Sequence, residues 1–173
     1  MASPKAGSMR ILSSAHLAGG GSPELSEFEF GLIVAGNAFG RWVVRCMAGA
    51  GVPDMTLTEA LVLHHVHHRD KSKKLADICF TLNYEDTHVV NYALKKLIAS
   101  GLLSSEKVGK EVFYATTEAG RDMVERYRAV RERCLLPGIT GDVADPQALA
   151  RLAQALRTLS GVYDQAARAA ASL

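Results

Sequence analysis

The sequence predicts a mainly α-helical chain with one small β-hairpin, on three observations. Apolar residues recur at three- and four-residue spacing in six separate stretches, the period of a helix with one buried side. Capping and stopping residues bracket those stretches. Between residues 102 and 116 the pattern changes to two short runs, Leu102-Leu103-Ser104-Ser105-Glu106-Lys107 and Glu111-Val112-Phe113-Tyr114-Ala115-Thr116, joined near Val108-Gly109, which reads as a hairpin. The order is four helices, the hairpin, and two more helices.

A chain of 173 residues, 48% of them hydrophobic, suits one domain with added helices and can bury a core. The net charge of +2, from 20 Lys and Arg against 18 Asp and Glu, is too small to argue for a polyanionic partner. Any nucleic-acid reading therefore has to rest on a motif. Cys46, Cys79 and Cys134 are widely spaced, odd in number and set in apolar helical patterns, which predicts reduced, buried thiols and a cytoplasmic location. No apolar run is long enough for a bilayer, and the N-terminus lacks the apolar stretch of a secretion signal, so no membrane partner is expected.

Residues 1–22 are rich in Gly, Ser and Ala without a period, and read as a flexible N-terminal arm. A first helix is expected from Pro23 to about Ala48, with Ser22 as its cap and Pro23 in its first turn. Phe28, Leu32, Ala35, Phe39, Trp42 and Cys46 form a 4,3 seam along it, the pattern of a helix that packs on another helix. Gly31, Gly36 and Gly40 each weaken an isolated helix by about 1 kcal/mol, and Gly36 and Gly40 together would let another backbone approach. A partner subunit and the chain's own domain are equal candidates to cover this seam.

Gly49–Asp54 interrupts the pattern. A second helix then opens at Thr56-Leu57-Thr58-Glu59, a capping box, and runs into His64-His65-Val66-His67-His68. Arg69–Lys73 reads as a polar turn, and Lys74–Leu82 as a short third helix with Leu75, Ile78, Cys79 and Leu82 inward. After the turn Asn83-Tyr84-Glu85, Asp86 caps a fourth helix that Gly101 ends. Its stripe of Val89, Val90, Ala93, Leu94, Leu97 and Ile98 suits a core. Its other side carries Thr87, His88, Asn91, Tyr92 and Lys95, side chains of the kinds that reach base edges and phosphates. Residues 102–107 and 111–116 are the hairpin strands. Thr117 caps a fifth helix along Met123, Tyr127, Val130 and Cys134, and Pro137-Gly138 stops it. Asp145 and Pro146 open the last helix, where Leu149, Leu152, Leu156, Leu159 and Tyr163 make a second seam.

Three central helices and a hairpin in this order match a winged helix-turn-helix, here with N- and C-terminal helices for dimerisation. Thr56–Met123 resembles the DNA-binding lobe of the MarR family of bacterial transcriptional regulators. The resemblance rests on Thr56-Leu57-Thr58-Glu59, Lys74-Leu75-Ala76-Asp77-Ile78, Leu94-Lys95-Lys96-Leu97 with Gly101-Leu102, and Thr117-Glu118-Ala119-Gly120. It implies a DNA-binding lobe over residues 55–117, a dimerisation region over 23–50 and 118–173, and small aromatic or phenolic effectors. In two places the chain departs from the family: the hairpin tip Lys107-Val108-Gly109-Lys110-Glu111 lacks the Asp-x-Arg element whose arginine enters a minor groove, and the third helix with its turn is about one turn longer than usual, which would tilt the recognition helix differently.

The second helix of a helix-turn-helix pair enters the major groove. Asn91 is the first choice for reading a base, since an amide pairs bidentately with adenine. Thr87, His88 and Tyr92 flank it. Tyr92 either lies over a sugar or base or folds back into the core. Lys95, Lys73 and Lys74 are expected on the phosphate backbone, and Lys107 and Lys110 on the wing can reach it too. Residues 60–115 hold 8 Lys or Arg and 6 acids, so each subunit supplies a modest charge and a homodimer on a pseudo-palindrome would double the contacts.

Other constellations carry less. His64 and His68 share a helix face and could supply two metal ligands, but a transition metal needs more. The alternative is a helix C-terminus decorated with histidines, which the helix dipole favours in the protonated form. A pH-sensing role for them is open. Cys46, next to Arg45, is the best-placed thiol for redox chemistry, although its seam position favours burial. Phe39, Trp42 and Arg45 could line an effector cavity, with Trp42 as a subunit anchor the plainer reading. There is no glycine-rich phosphate loop, nucleophile elbow or paired-carboxylate turn, so neither an enzyme nor a cofactor is expected. The main competitor to a DNA-binding regulator is a winged helix used for protein–protein contact.

Overall fold

The structure is a computed structural model and describes residues 22–173; the proposed N-terminal arm, apart from Ser22, lies outside the described residues. Two compact units are present, one extending to Tyr127 and the other Arg128–Leu173.

Helix α1 spans Pro23–Gly49 and starts as its sequence requires, with the Leu25 N–H donating to Ser22 Oγ at 3.3 Å. Its C-terminal part buries Val43, Cys46 and Met47, whereas Leu25, Phe30, Leu32, Ile33, Val34 and Phe39 are exposed. The expected seam is thus covered only at its far end: Leu32, Ala35 and Phe39 face solvent, Phe28 and Trp42 are half-buried, and Cys46 is buried. Gly31 and Gly36 face open space, and the close approach at Gly40 is to the Leu57 side chain of the same chain, 3.3 Å from where a Cβ would stand.

Helix α2 spans Leu57–His67 behind the predicted capping box: the Glu59 N–H donates to Thr56 Oγ1 at 3.3 Å and the Thr56 N–H to Glu59 Oε2 at 3.2 Å. It buries Ala60, Val62, Leu63 and Val66 completely and is the centre of the core. A 3-10 turn over His68–Asp70 follows, with Arg69 at φ 65°.

Here the structure departs from the expected turn. Lys73–Lys74 form a strand, β1, pairing Lys73 with Tyr114 and Lys74 with Phe113, so helix α3 begins at Leu75 and runs to Leu82. A two-residue strand carries no alternation to be read, and only the presence of its partner defines it. Ile78 and Cys79 are buried as expected, but Leu75 and Leu82 are only half-buried. Asn83 ends α3 in the left-handed conformation at φ 56°, which an Asn tolerates well.

Helix α4 spans Thr87–Ala99, with the His88 N–H donating to Asp86 Oδ1 at 2.8 Å. It ends in a Schellman arrangement: Gly101 sits at φ +74°, its N–H donates to Ile98 O and the Leu102 N–H to Leu97 O, both at 2.9 Å. Strands β2 (Leu103–Val108) and β3 (Glu111–Thr116) pair antiparallel in the sheet order β1-β3-β2, and Gly109 at φ +63° makes the two-residue tip.

Helix α5 spans Glu118–Cys134, capped by Thr117 Oγ1, which accepts the Gly120 N–H at 3.1 Å. Its apolar line fades along its length: Met123 is buried, Tyr127 and Val130 half-buried, and Cys134 exposed. The expectation of three buried thiols is therefore wrong at Cys134, because residues 131–134 are all exposed and its local apolar spacing has no core to meet. Helix α6 spans Pro146–Ala170, with Asp145 accepting from the Gln147 and Ala148 N–H groups at 3.0 Å each. Its leucine seam stands largely open, with Leu149, Leu152 and Leu156 exposed and Leu159 and Tyr163 half-buried.

Candidate nucleic-acid interface

The outward face of α4 follows from what the helix buries. Val90, Ala93, Leu94 and Leu97 are at most 1% exposed. At about 100° per residue, the side opposite that stripe is occupied by His88, Tyr92 and Lys95. All three are exposed, as is Thr87 at the helix start. Tyr92 resolves to the outward alternative, at 65% exposure.

Two residues sit differently from the sequence reading. Asn91 is half-buried on the flank of the helix, and His88, Tyr92 and Lys95 are the more prominent group. Val89 was expected in the core stripe and is 41% exposed. It stands about a quarter-turn from the centre of the buried stripe, too far round to reach the core. With Tyr92, Ala93 and His88 it lines a cleft of about 560 Å³ against Thr56, Thr58 and Glu59 at the start of α2. The Tyr84 hydroxyl, 3.1 Å from Thr58 Oγ1, ties the helix-turn-helix turn to the same end of α2.

Lys96 is turned towards α2. Its Nζ lies 2.8 Å from Glu59 Oε1, whose side chain is only 7% exposed, and 5.9 Å from the Tyr92 ring centroid. The hydrogen bond to Glu59 holds the lysine's pKa above its ordinary value. Sequence reasoning found Glu59 as a capping residue, but nothing in the chain signalled its second partner.

The lysines assigned to phosphates divide into two groups. Lys73 Nζ donates to the carbonyls of His68 at 2.9 Å and Lys71 at 2.7 Å, where it closes the turn after α2. Lys74 Nζ lies 2.6 Å from Glu111 and 5.3 Å from the Phe113 ring centroid, which fastens β1 to the wing. Both are half-buried and engaged within the lobe. Lys95, Lys107 and Lys110 are exposed. Phe80 on α3, which the sequence reading left out, is 89% exposed. Its position beside the buried pair Ile78-Cys79 was visible in the helical spacing.

The weaker candidates are also placed. Phe39 and Arg45 are exposed and Trp42 is half-buried. Cys46 is buried, its Sγ 3.5 Å from the Tyr127 carbonyl, and burial pushes the Cys79 thiol up. His64 packs edge-on to Tyr127 with ring centroids 4.3 Å apart. Burial, then the neighbouring His67, lowers the His64 pKa; burial, then Lys73 and His68, lowers that of His65 against a smaller opposing effect of Asp77. The helix-dipole argument for protonated histidines fails for these two, since desolvation of a charged imidazole outweighs it. His68 is exposed and lies past the end of α2, and among the described residues no group of three His, Cys, Asp or Glu could hold a metal ion. No described helix is long and apolar enough to cross a membrane.

Residues 55–120 match the family model described as "Winged helix DNA-binding domain". A comparison with curated proteins finds no match at a significant level. Among solved structures the chain is similar to NMB1585, a MarR family regulator from Neisseria meningitidis, at 16% identity and TM-score 0.61, covering 83% of this chain and 95% of that one. It is similar to BpsR of Bordetella bronchiseptica, described with the regulation of its DNA binding by 6-hydroxynicotinic acid, at 20% identity and TM-score 0.55, covering 74% and 91%. It is also similar to NadR in complex with 4-hydroxyphenylacetate, at 18% identity and TM-score 0.59, covering 77% and 92%. The chain has a MarR-like winged helix-turn-helix fold with terminal helices.

Proposed function

We propose that this chain is a sequence-selective, DNA-binding transcriptional regulator of the cytoplasm that acts as a homodimer, with α4 in the major groove. The observation that carries the reading is the α4 face: His88, Tyr92 and Lys95 project from a helix whose opposite side is fully buried. A rigidly seated helix with donors, an aromatic ring and a cation outward suits direct readout. Thr87 lies at the helix start, where it can meet a phosphate or a thymine methyl. Asn91 reads from the flank, and Lys107 and Lys110 add phosphate contacts from the wing. The exposed apolar residues of α1 and the leucines of α6 supply the dimer surface, residues 23–50 and 118–173.

A small aromatic effector is part of the same proposal. BpsR and NadR are each described with one, and Phe39, Trp42 and Arg45 of α1 are the residues proposed to meet it here. A second reading, a winged helix that binds another protein, is favoured by Phe80 and by the engagement of Lys73 and Lys74 within the lobe. Salt separates the two. Regulator binding to a duplex should weaken steeply between low and moderate salt because phosphate contacts release counterions, and the purified chain should elute as a dimer. Elution as a monomer at micromolar concentration would remove the homodimer on a palindrome, and duplex binding that is absent or insensitive to salt favours the protein-contact reading.

A further inference from the structure

Lys96 and Glu59 do work that neither the capping box nor the DNA-reading face requires. The Glu59 carboxylate is buried and divided between two elements: Oε2 accepts the Thr56 N–H at 3.2 Å, and Oε1 meets Lys96 Nζ at 2.8 Å. The first contact fixes the carboxylate on the start of α2. The second fixes α4 to that carboxylate by a side chain one turn beyond Tyr92. The same ammonium sits 5.9 Å from the Tyr92 ring centroid, so one cation touches both the buried anchor and the outward aromatic. Beside this contact a cleft lined by Val89, Tyr92 and Thr58 opens along the outer edge of the two helices, outside the buried stripe of Val90, Leu94 and Leu97. At that edge the ion pair is a polar link between α4 and the start of α2.

We infer that Glu59 and Lys96 are a positioning pair that sets the attitude of α4 and the stance of Tyr92, and so governs base preference rather than general affinity. The inference rests on α4 being the DNA-reading helix. Lys96 therefore contributes nothing to the phosphate contacts of Lys95, Lys107 and Lys110, although it lies on the same helix as Lys95. Removing Lys96 alone would leave the buried Glu59 charge without its cation, which destabilises a fold for reasons unrelated to DNA. The informative variant is the double replacement Glu59→Gln with Lys96→Met, in which the glutamine carbonyl can still accept the Thr56 N–H and no charge is orphaned. Lys96→Arg, which keeps a charged donor at the same place, is the conservative control.

The test is selection of bound duplexes from a random pool by the full chain, wild type beside both variants, with amide hydrogen exchange of α4 followed in the free proteins. The E59Q/K96M chain should keep the wild-type salt slope, lose about tenfold in discrimination at one half-site position, and exchange faster along α4. The K96R chain should retain the wild-type preference. An E59Q/K96M chain with unchanged preference overturns the inference. So does one whose affinity falls equally on all sequences with a salt slope smaller by about one, since Lys96 would then be an ordinary phosphate contact. A wild type that selects no duplex fails before either variant is needed, and it removes the DNA reading together with the pair's part in it.

Discussion

Gly120→Ala should unfold this protein more readily, although alanine is the better helix former. Gly120 lies in the first turn of α5, where a Cβ would stand 2.1 Å from the Leu102 carbonyl oxygen and 3.1 Å from its carbon. Both are backbone atoms at the junction of α4 and β2, so no flexible side chain can swing away. The same oxygen accepts the Thr117 N–H at 3.1 Å, while the Thr117 hydroxyl donates to the neighbouring Gly101 carbonyl at 2.6 Å. Moving the Leu102 oxygen by about 1 Å therefore loosens one hydrogen bond, with a net value of about 1 kcal/mol, on top of an overpacking cost of about 1–3 kcal/mol. Against this stands a gain in helix propensity of about 1 kcal/mol. The balance is a loss of about 1–3 kcal/mol, or a fall in Tm of about 2–12 °C for a chain of this size. Urea denaturation followed by circular dichroism measures it, and an unchanged slope would place the effect in stability alone. A variant within about 0.5 kcal/mol of wild type, or more stable than it, refutes the packing argument.

Acid should weaken the fold. His64 and His65 hold a proton less firmly in the native state than at the ordinary value of 6.5, so the unfolded chain binds more protons below that pH. Stability should be flat above 6.5, fall as the pH drops through it, and level off once the lowered native pKa values are passed. His64→Phe, which can keep the edge contact to Tyr127, should flatten part of that slope in a series of melts; an identical slope would count against the histidines. A thiol reagent should reach the buried Cys46 and Cys79 only on unfolding, whereas rapid labelling of either in the native protein would contradict its placement. Phe39→Glu, on the exposed part of α1, should shift sedimentation from dimer towards monomer, and an unchanged dimer would move the interface elsewhere.

The elements that sequence revealed are those whose cause is local. Thr56 with Glu59, Asp86, Thr117 and Asp145 each announced a helix start because a cap acts within three residues. Gly101 announced a stop for the same reason. Strand β1 escaped because its definition lies forty residues away, in Tyr114 and Phe113. Val89 and Cys134 were misplaced because apolar spacing records which residues could be buried and not how far the neighbouring surface extends. In the interface, the outward set on α4 was legible from the period, but the fates of Lys73, Lys74 and Lys96 depended on distant acceptors: two carbonyls in the preceding turn, Glu111 on the wing, and Glu59 on α2. A lysine's partner is a tertiary fact.

The central claim, that the outer face of α4 reads DNA, is tested most directly by titrating selected duplexes with Tyr92→Ala and Lys95→Ala at several salt concentrations. Lys95→Ala should weaken binding to all sequences alike and reduce the salt slope by about one. Tyr92→Ala should relax preference at neighbouring positions of one half-site while general binding survives. Wild-type binding and preference in both variants would contradict the claim, because the face that carries it would have been removed without effect.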